Sequence, residues 1–110
     1  MQILLVRPCW TTRWLIMPPT SLIYISAAAK KAGHECDIYD AWLKNKEPEE
    51  VTDDIQLHGY DIIGIQVYMD TVEWTRKFIQ IARQFNSKSK FIIGGPFCWC
   101  NYLKLEKVEA

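Results

Sequence analysis

Short apolar runs alternate with longer amphipathic ones along this chain, and that alternation constrains its fold more than any other feature. Ile3–Val6 reads ILLV, the run expected of a strand buried on both faces. Ser21–Ala32 has helical period, with Leu22, Ile25, Ala29 and Ala32 on one face. Lys30 and Lys31 fall in its last turn, where cations suit the helix dipole. Thr20 or Ser21 can cap its start, and Gly33 stands where a left-handed stop is expected. Glu35–Tyr39 predicts a second strand. Glu47-Pro48-Glu49-Glu50 opens a short helix, because proline is tolerated and acids are favoured in a first turn; Gly59 is expected to end it. Ile62–Val67 (IIGIQV) predicts a third strand. Val72–Phe85 is the clearest helix: Trp74, Phe78, Ile81, Ala82 and Phe85 form one stripe, and Arg76, Lys77, Gln80 and Arg83 point away. Phe91–Ile93 predicts a fourth strand, and Phe97–Val108 is compatible with a final helix. The order βαβαβαβ plus a tail argues for one α/β domain over residues 1–110, with a parallel sheet, right-handed crossovers and helices on both faces.

In such a sheet, ligands bind beyond the carboxyl ends of the strands. The loops that build this edge are Arg7–Pro19, Asp40–Glu47, Tyr68–Thr71 and Gly94–Cys98. The first runs about a dozen residues, where ~2–6 is usual. It holds Cys9, Trp10, Arg13, Trp14 and Met17, the makings of a wall for a large, partly apolar ligand; a cover for the end of the core would look the same. Gly94-Gly95-Pro96 suits a backbone cradle, because glycine lets a ligand approach the main chain and Pro96 fixes the exit; a tight strand-to-helix turn has the same composition. Gly64 marks either a close backbone approach or packing beneath a helix. Asp40 and Asp70 lie at the edge and can each accept a hydrogen bond from a ligand. His34 and His58 belong to the opposite edge, so neither is expected to be a ligand or catalyst.

Charge and missing motifs narrow the field. The 13 basic and 13 acidic residues cancel, which speaks against a nucleic-acid or anionic-membrane surface. No apolar run nears the ~20 residues of a membrane span. MQILLVRP lacks the basic and cleavage regions of a signal peptide, and four cysteines are too few for a secreted disulfide scaffold, so a cytoplasmic location with free thiols is expected. There is no G-x-G-x-x-G after the first strand, no G-x-x-x-x-G-K-[ST] and no G-x-S-x-G. Cys98 and Cys100, even with Cys9, leave a zinc site one ligand short, and a redox pair is usually spaced C-x-x-C; buried or incidental thiols are the simpler reading.

Four segments in order, ILLVRP (3–8), PPTSLIYISAAAKKAGHECDIYDA (18–41), YDIIGIQVYMDT (60–71) and KFIIGGP (90–96), resemble the N-terminal cobalamin (vitamin B12)-binding domain of cobalamin-dependent radical SAM enzymes. The likeness covers about nine-tenths of the chain. It implies a Rossmann-like or flavodoxin-like three-layer sandwich of order 2-1-3-4, with the family's fifth strand missing. It also implies cobalamin held over the carboxyl edge by Pro8, Cys9 and Trp10, by Tyr68, Met69, Asp70 and Thr71, and by Gly94, Gly95 and Pro96.

The chain departs from that pattern in three places. The axial-histidine motif D-x-H-x-x-G is absent after the first strand, as in many radical SAM relatives. Phe97 and Cys98 follow Gly-Gly-Pro where the family often has His and a small residue. The C-x-x-x-C-x-x-C motif of the radical SAM iron–sulfur cluster is absent, so no catalysis is expected of this chain alone. The expectation is a cobalamin-binding module whose exposed fourth strand is covered by a radical SAM domain, its own tail or another protein, or which is association-prone. The alternative is a cofactor-free flavodoxin-like interaction or regulatory domain, with Trp10, Trp14 and Trp99 as partner contacts.

Overall fold

A computed structural model describes residues 1–12 and 15–94 of the 110. The helix expected over Phe97–Val108 lies outside them. Four strands, β1 (Gln2–Arg7), β2 (Glu35–Asp40), β3 (Ile62–Gln66) and β4 (Lys90–Gly94), form a parallel sheet in the order β2-β1-β3-β4. The helices are α1 (Thr20–Lys31), α2 (Ala41–Lys44), α3 (Pro48–Asp54) and α4 (Val72–Phe85). This is the α/β, flavodoxin-like arrangement expected, with β4 as an edge among the described strands. Register brings Arg7 beside Asp40, Leu5 beside Gly64 and Gln66 beside Gly94, so the strand ends that carry the site lie level.

The two faces are covered unequally. Alternate residues of each strand point to opposite faces. Leu4, Val6, Tyr39, Ile63, Ile65 and Val67 face α3 and α4 and pack with Val51, Trp74, Phe78, Ile79 and Ala82 in the main core. On the other face Leu5, Cys36 and Leu22 form a small cluster under α1, flanked by Ile3, Ile38 and Ala29. Helix α1 stands over the β1–β2 half, and the β3–β4 half of that face opens as a cleft of about 480 Å³ among the described residues.

Packing corrects two helix faces. In α1 the buried line is Leu22 and Ser26, with Ala29 half-buried; Ala32 is exposed, and Ile25, expected in the stripe, is 53% exposed because it borders the cleft. In α4 the buried face is Trp74, Thr75, Phe78, Ile79 and Ala82, while Ile81 is half-buried and Phe85 is 56% exposed. Thr75 belongs to this face despite its polarity, because its hydroxyl donates to the Thr71 carbonyl at 2.8 Å.

Local chemistry sets the element ends. Gly33 has φ +93°, the left-handed stop expected after α1. The Asp40 carboxylate accepts from Leu43 N at 3.0 Å and caps α2, a turn that interrupts the segment expected to be loop. Pro48 starts α3 as expected, but α3 stops at Asp54, and Gly59 instead ends a separate 3-10 turn, Leu57–Gly59. Buried Asn86 donates to the carbonyls of Leu57 and Tyr60 at 2.9 and 2.8 Å, tying the end of α4 to the entry of β3.

Candidate functional site

The carboxyl edge of the sheet is roofed by the loop after β1. Pro8 is fully buried, Cys9 packs against the main core, and Trp10 stands at the edge. The Trp10 ring stacks on Trp42 with centroids 5.0 Å apart and meets Tyr68 edge-on at 5.1 Å. These three rings come from the ends of β1, β2 and β3, so parallel register assembles the wall.

A pocket of about 420 Å³ opens at this wall between the loop residues Trp10, Leu15 and Met17 and the strand-end residues Trp42, Gln66 and Tyr68. Its floor reaches the α1 start at Thr20 and Ser21. The apolar cleft over β3–β4 shares Ser21, Gln66 and Tyr68 with it, so the two hollows adjoin at these residues. A smaller, more polar hollow of about 260 Å³ lies on the other side of Trp10, lined by Cys9, Asn45, Asp70, Glu73 and Lys77 among others.

Arg7 is the buried charge of the site, 6% exposed. Its Nε and Nη2 form a fork on the two oxygens of Asp40, Nε at 2.9 Å from Oδ1, and its guanidinium lies 4.8 Å from the Trp42 ring centroid. Asp40, expected as a hydrogen-bond acceptor for a ligand, is thereby spent on Arg7 and on the α2 cap.

The residues expected at the site divide. Tyr68 lines both large hollows, Trp10 the edge pocket and the polar hollow, Cys9 and Asp70 the polar hollow, and Gly94 the cleft. Met69 is 63% exposed, and Asp70 is exposed in the same 3-10 turn, Met69–Thr71. Thr71 is fully buried; its hydroxyl donates to the Tyr68 carbonyl at 3.1 Å and accepts from Tyr68 N at 2.9 Å, which holds Tyr68 in place. Gly94 has open space where a Cβ would stand, so a ligand can come close to its backbone, although its φ is not positive. Gly64 has no such freedom: a Cβ there would meet Leu5 Cδ2 at 2.9 Å, so it packs under a neighbouring strand's side chain rather than a helix. Gly95, Pro96, Cys98, Cys100, Trp99, Arg13 and Trp14 lie outside the described residues.

Both histidines lie at the amino edge, His34 against the Met1 amino group at 3.3 Å and His58 in the turn before β3. Among the described residues no cluster of His, Cys, Asp and Glu could hold a metal ion, and no helix is long and apolar enough to cross a membrane. Reading the sequence one segment at a time missed Arg7, Trp42 and Gln66. The signal available was an arginine at the end of an apolar strand with an aspartate at the end of the next, a pair that parallel register sets side by side.

Searches of curated proteins and of solved structures find no match. The family model of the B12 binding domain matches residues 9–108, from the first loop onward. With the parallel sheet of order 2-1-3-4 and a hollow at its carboxyl edge, the chain belongs to the B12-binding domain family.

Proposed function

We propose that this chain is the cobalamin-holding module of a cobalamin-dependent radical SAM enzyme of the methyltransferase kind. The observation that carries the reading is the pair of adjoining hollows, edge pocket and cleft, that share Ser21, Gln66 and Tyr68. Cobalamin is large and partly apolar, with a ring, an amide rim and a nucleotide tail, and needs a long hollow of mixed character rather than a small polar cup. The aromatic wall of Trp10, Trp42 and Tyr68 offers a broad face, and the exposed backbone at Gly94 leaves room for close approach. Pro8, Cys9, Met69, Asp70, Thr71, Gly95 and Pro96 complete the set proposed from the resemblance, Pro8 and Thr71 acting from buried positions that shape the loops.

When bound, the cofactor supplies methyl-transfer chemistry at its cobalt. The chain's own residues hold and orient it and shield it from water. Both histidines of the sequence stand at the far edge, so neither would reach a cobalt held over the carboxyl edge. The radical SAM part, in the same polypeptide or another, would lie against the carboxyl edge and the β4 side, and the free, buried thiol of Cys36 suits a cytoplasmic setting.

The test is retention of hydroxocobalamin through gel filtration. Corrinoid absorbance should co-elute with the protein at a ratio near one; its absence would overturn binding by this chain. Reduction to the cob(II) form then reports the axial position. Uniform 15N labelling of the protein should leave the electron paramagnetic resonance spectrum unchanged, and a changed nitrogen splitting would show a protein ligand.

A further inference from the structure

We propose that Arg7 and Trp42 are positioning residues that hold the first loop in place over the edge pocket, and so set its affinity for a corrinoid; the affinity half rests on the cobalamin reading above. The loop carries neither helix nor strand over its described residues 8–12 and 15–19. Two side-chain bonds to its backbone bracket residues 13 and 14. Trp42 Nε1 donates to the Thr12 carbonyl at 3.0 Å, and Arg7 Nη1 donates to the Met17 carbonyl at 2.6 Å. The donors are themselves fixed. Asp40 holds the other two corners of the guanidinium, and the Trp42 ring contacts both that guanidinium and the Trp10 ring.

A buried ion pair is a poor device for stability, since apolar residues of similar volume often serve as well. A guanidinium fork does something apolar residues cannot: it aims a third N–H in a fixed direction. Here that direction leads to the loop. Arg7 and Trp42 are 6% and 8% exposed; both line the inner side of the edge pocket, and their polar groups there are turned to the loop backbone. The loop contributes Trp10, Leu15 and Met17 to the pocket lining, and these bonds hold the Thr12 and Met17 carbonyls of the same segment. Ordering the wall before a ligand arrives removes an entropic cost from binding.

Two variants and two readouts test this. Arg7→Lys keeps the charge opposite Asp40 but loses the fork, and Trp42→Phe keeps a stacked ring but loses the N–H. Hydrogen exchange is measured on the ligand-free protein, and hydroxocobalamin affinity by equilibrium dialysis. Each variant should speed exchange at residues 8–12 and 15–19 by roughly tenfold, the scale of one lost hydrogen bond, while β3 and α4 exchange as in the wild type. Each should weaken corrinoid binding by a similar factor. Exchange that rises everywhere, or nowhere, would overturn the clamp, because a merely structural role lowers stability throughout. A loosened loop with unchanged affinity would overturn its role in binding. If the wild type retains no corrinoid, the cobalamin reading and the affinity half both fail, and the exchange measurement still decides whether the clamp exists. Should Arg7→Lys not fold, Trp42→Phe alone decides both points.

Discussion

Tyr39 and Asp54 show how one contact ties a residue's chemistry to the stability of the fold. The Tyr39 hydroxyl donates to Asp54 from a ring that is nearly fully buried. Burial, and then the facing carboxylate, push the phenol well above the ordinary tyrosine range. The same hydrogen bond, with Lys46 and Lys44 nearby, holds the Asp54 carboxyl below its usual range. The signs are opposite. Asp54 contributes stability above the ordinary carboxylate range, and that is lost as pH falls through its lowered value; Tyr39 contributes below the ordinary phenol range, and that is lost as pH rises through its raised value. Asp54→Asn should therefore flatten the acid side of the stability curve measured by urea unfolding at a series of pH values, by a small amount since Asp54 is exposed. Tyr60, bonded to Asp37, is raised for the same reasons. In an ultraviolet titration, Tyr39→Phe and Tyr60→Phe should each remove part of the latest-ionising phase; loss from the early phase instead would contradict the assignment.

Among the elements, α4 separates helical period from tertiary contact. The 3.6-residue stripe locates the helix and its Phe78 anchor, yet sets the buried face slightly off, toward Ile81 and Phe85. Ile79 packs in the main core beside Phe78 and Ala82, Thr75 is buried next to them, and Phe85 is left exposed, a choice of face that packing makes and period does not. Phe78→Ala should cost about 3–5 kcal/mol in chemical denaturation, the usual range for a buried phenylalanine. Phe85→Ala should stay within about 0.5 kcal/mol, as surface changes do. Equal costs would mean that the sequence stripe, and not the observed face, is the one packed. Helix α1 carries the same lesson, since Ile23, Tyr24 and Ile25 are apolar but exposed, Ile25 beside the half-covered sheet.

For the whole molecule, the uneven covering of the sheet has consequences. Ile92 is 57% exposed on the edge strand β4 and lines the cleft. An apolar edge of this kind favours association. Sedimentation should show a mass that rises with protein concentration, and Ile92→Lys should lower it while the circular dichroism stays native; a mass independent of concentration would contradict this. A ligand that fills the hollows should also stabilise the fold. Hydroxocobalamin at one hundred times its dissociation constant should add about 2.7 kcal/mol and raise Tm by several degrees. A Tm that stays constant while corrinoid co-elutes would mean that the unfolded chain binds it equally.

What the amino acids settle without tertiary context is local and periodic. Apolar runs locate β1, β2, β3 and β4, Gly33 stops α1, Pro48 starts α3, and the ordered segments identify the family. These follow from hydrophobic period and backbone preference, which neighbours in sequence decide. The parts that escaped the sequence are pairings between distant residues. Arg7 finds Asp40 only because β1 and β2 lie parallel and in register, Trp10 finds Trp42 and Tyr68 only where three strand ends meet, and Asn86 finds the carbonyls of Leu57 and Tyr60 only when α4 is docked. Hydrogen bonds and ring contacts act over a few ångströms, so their partners exist only once the sheet has brought the ends of its strands together.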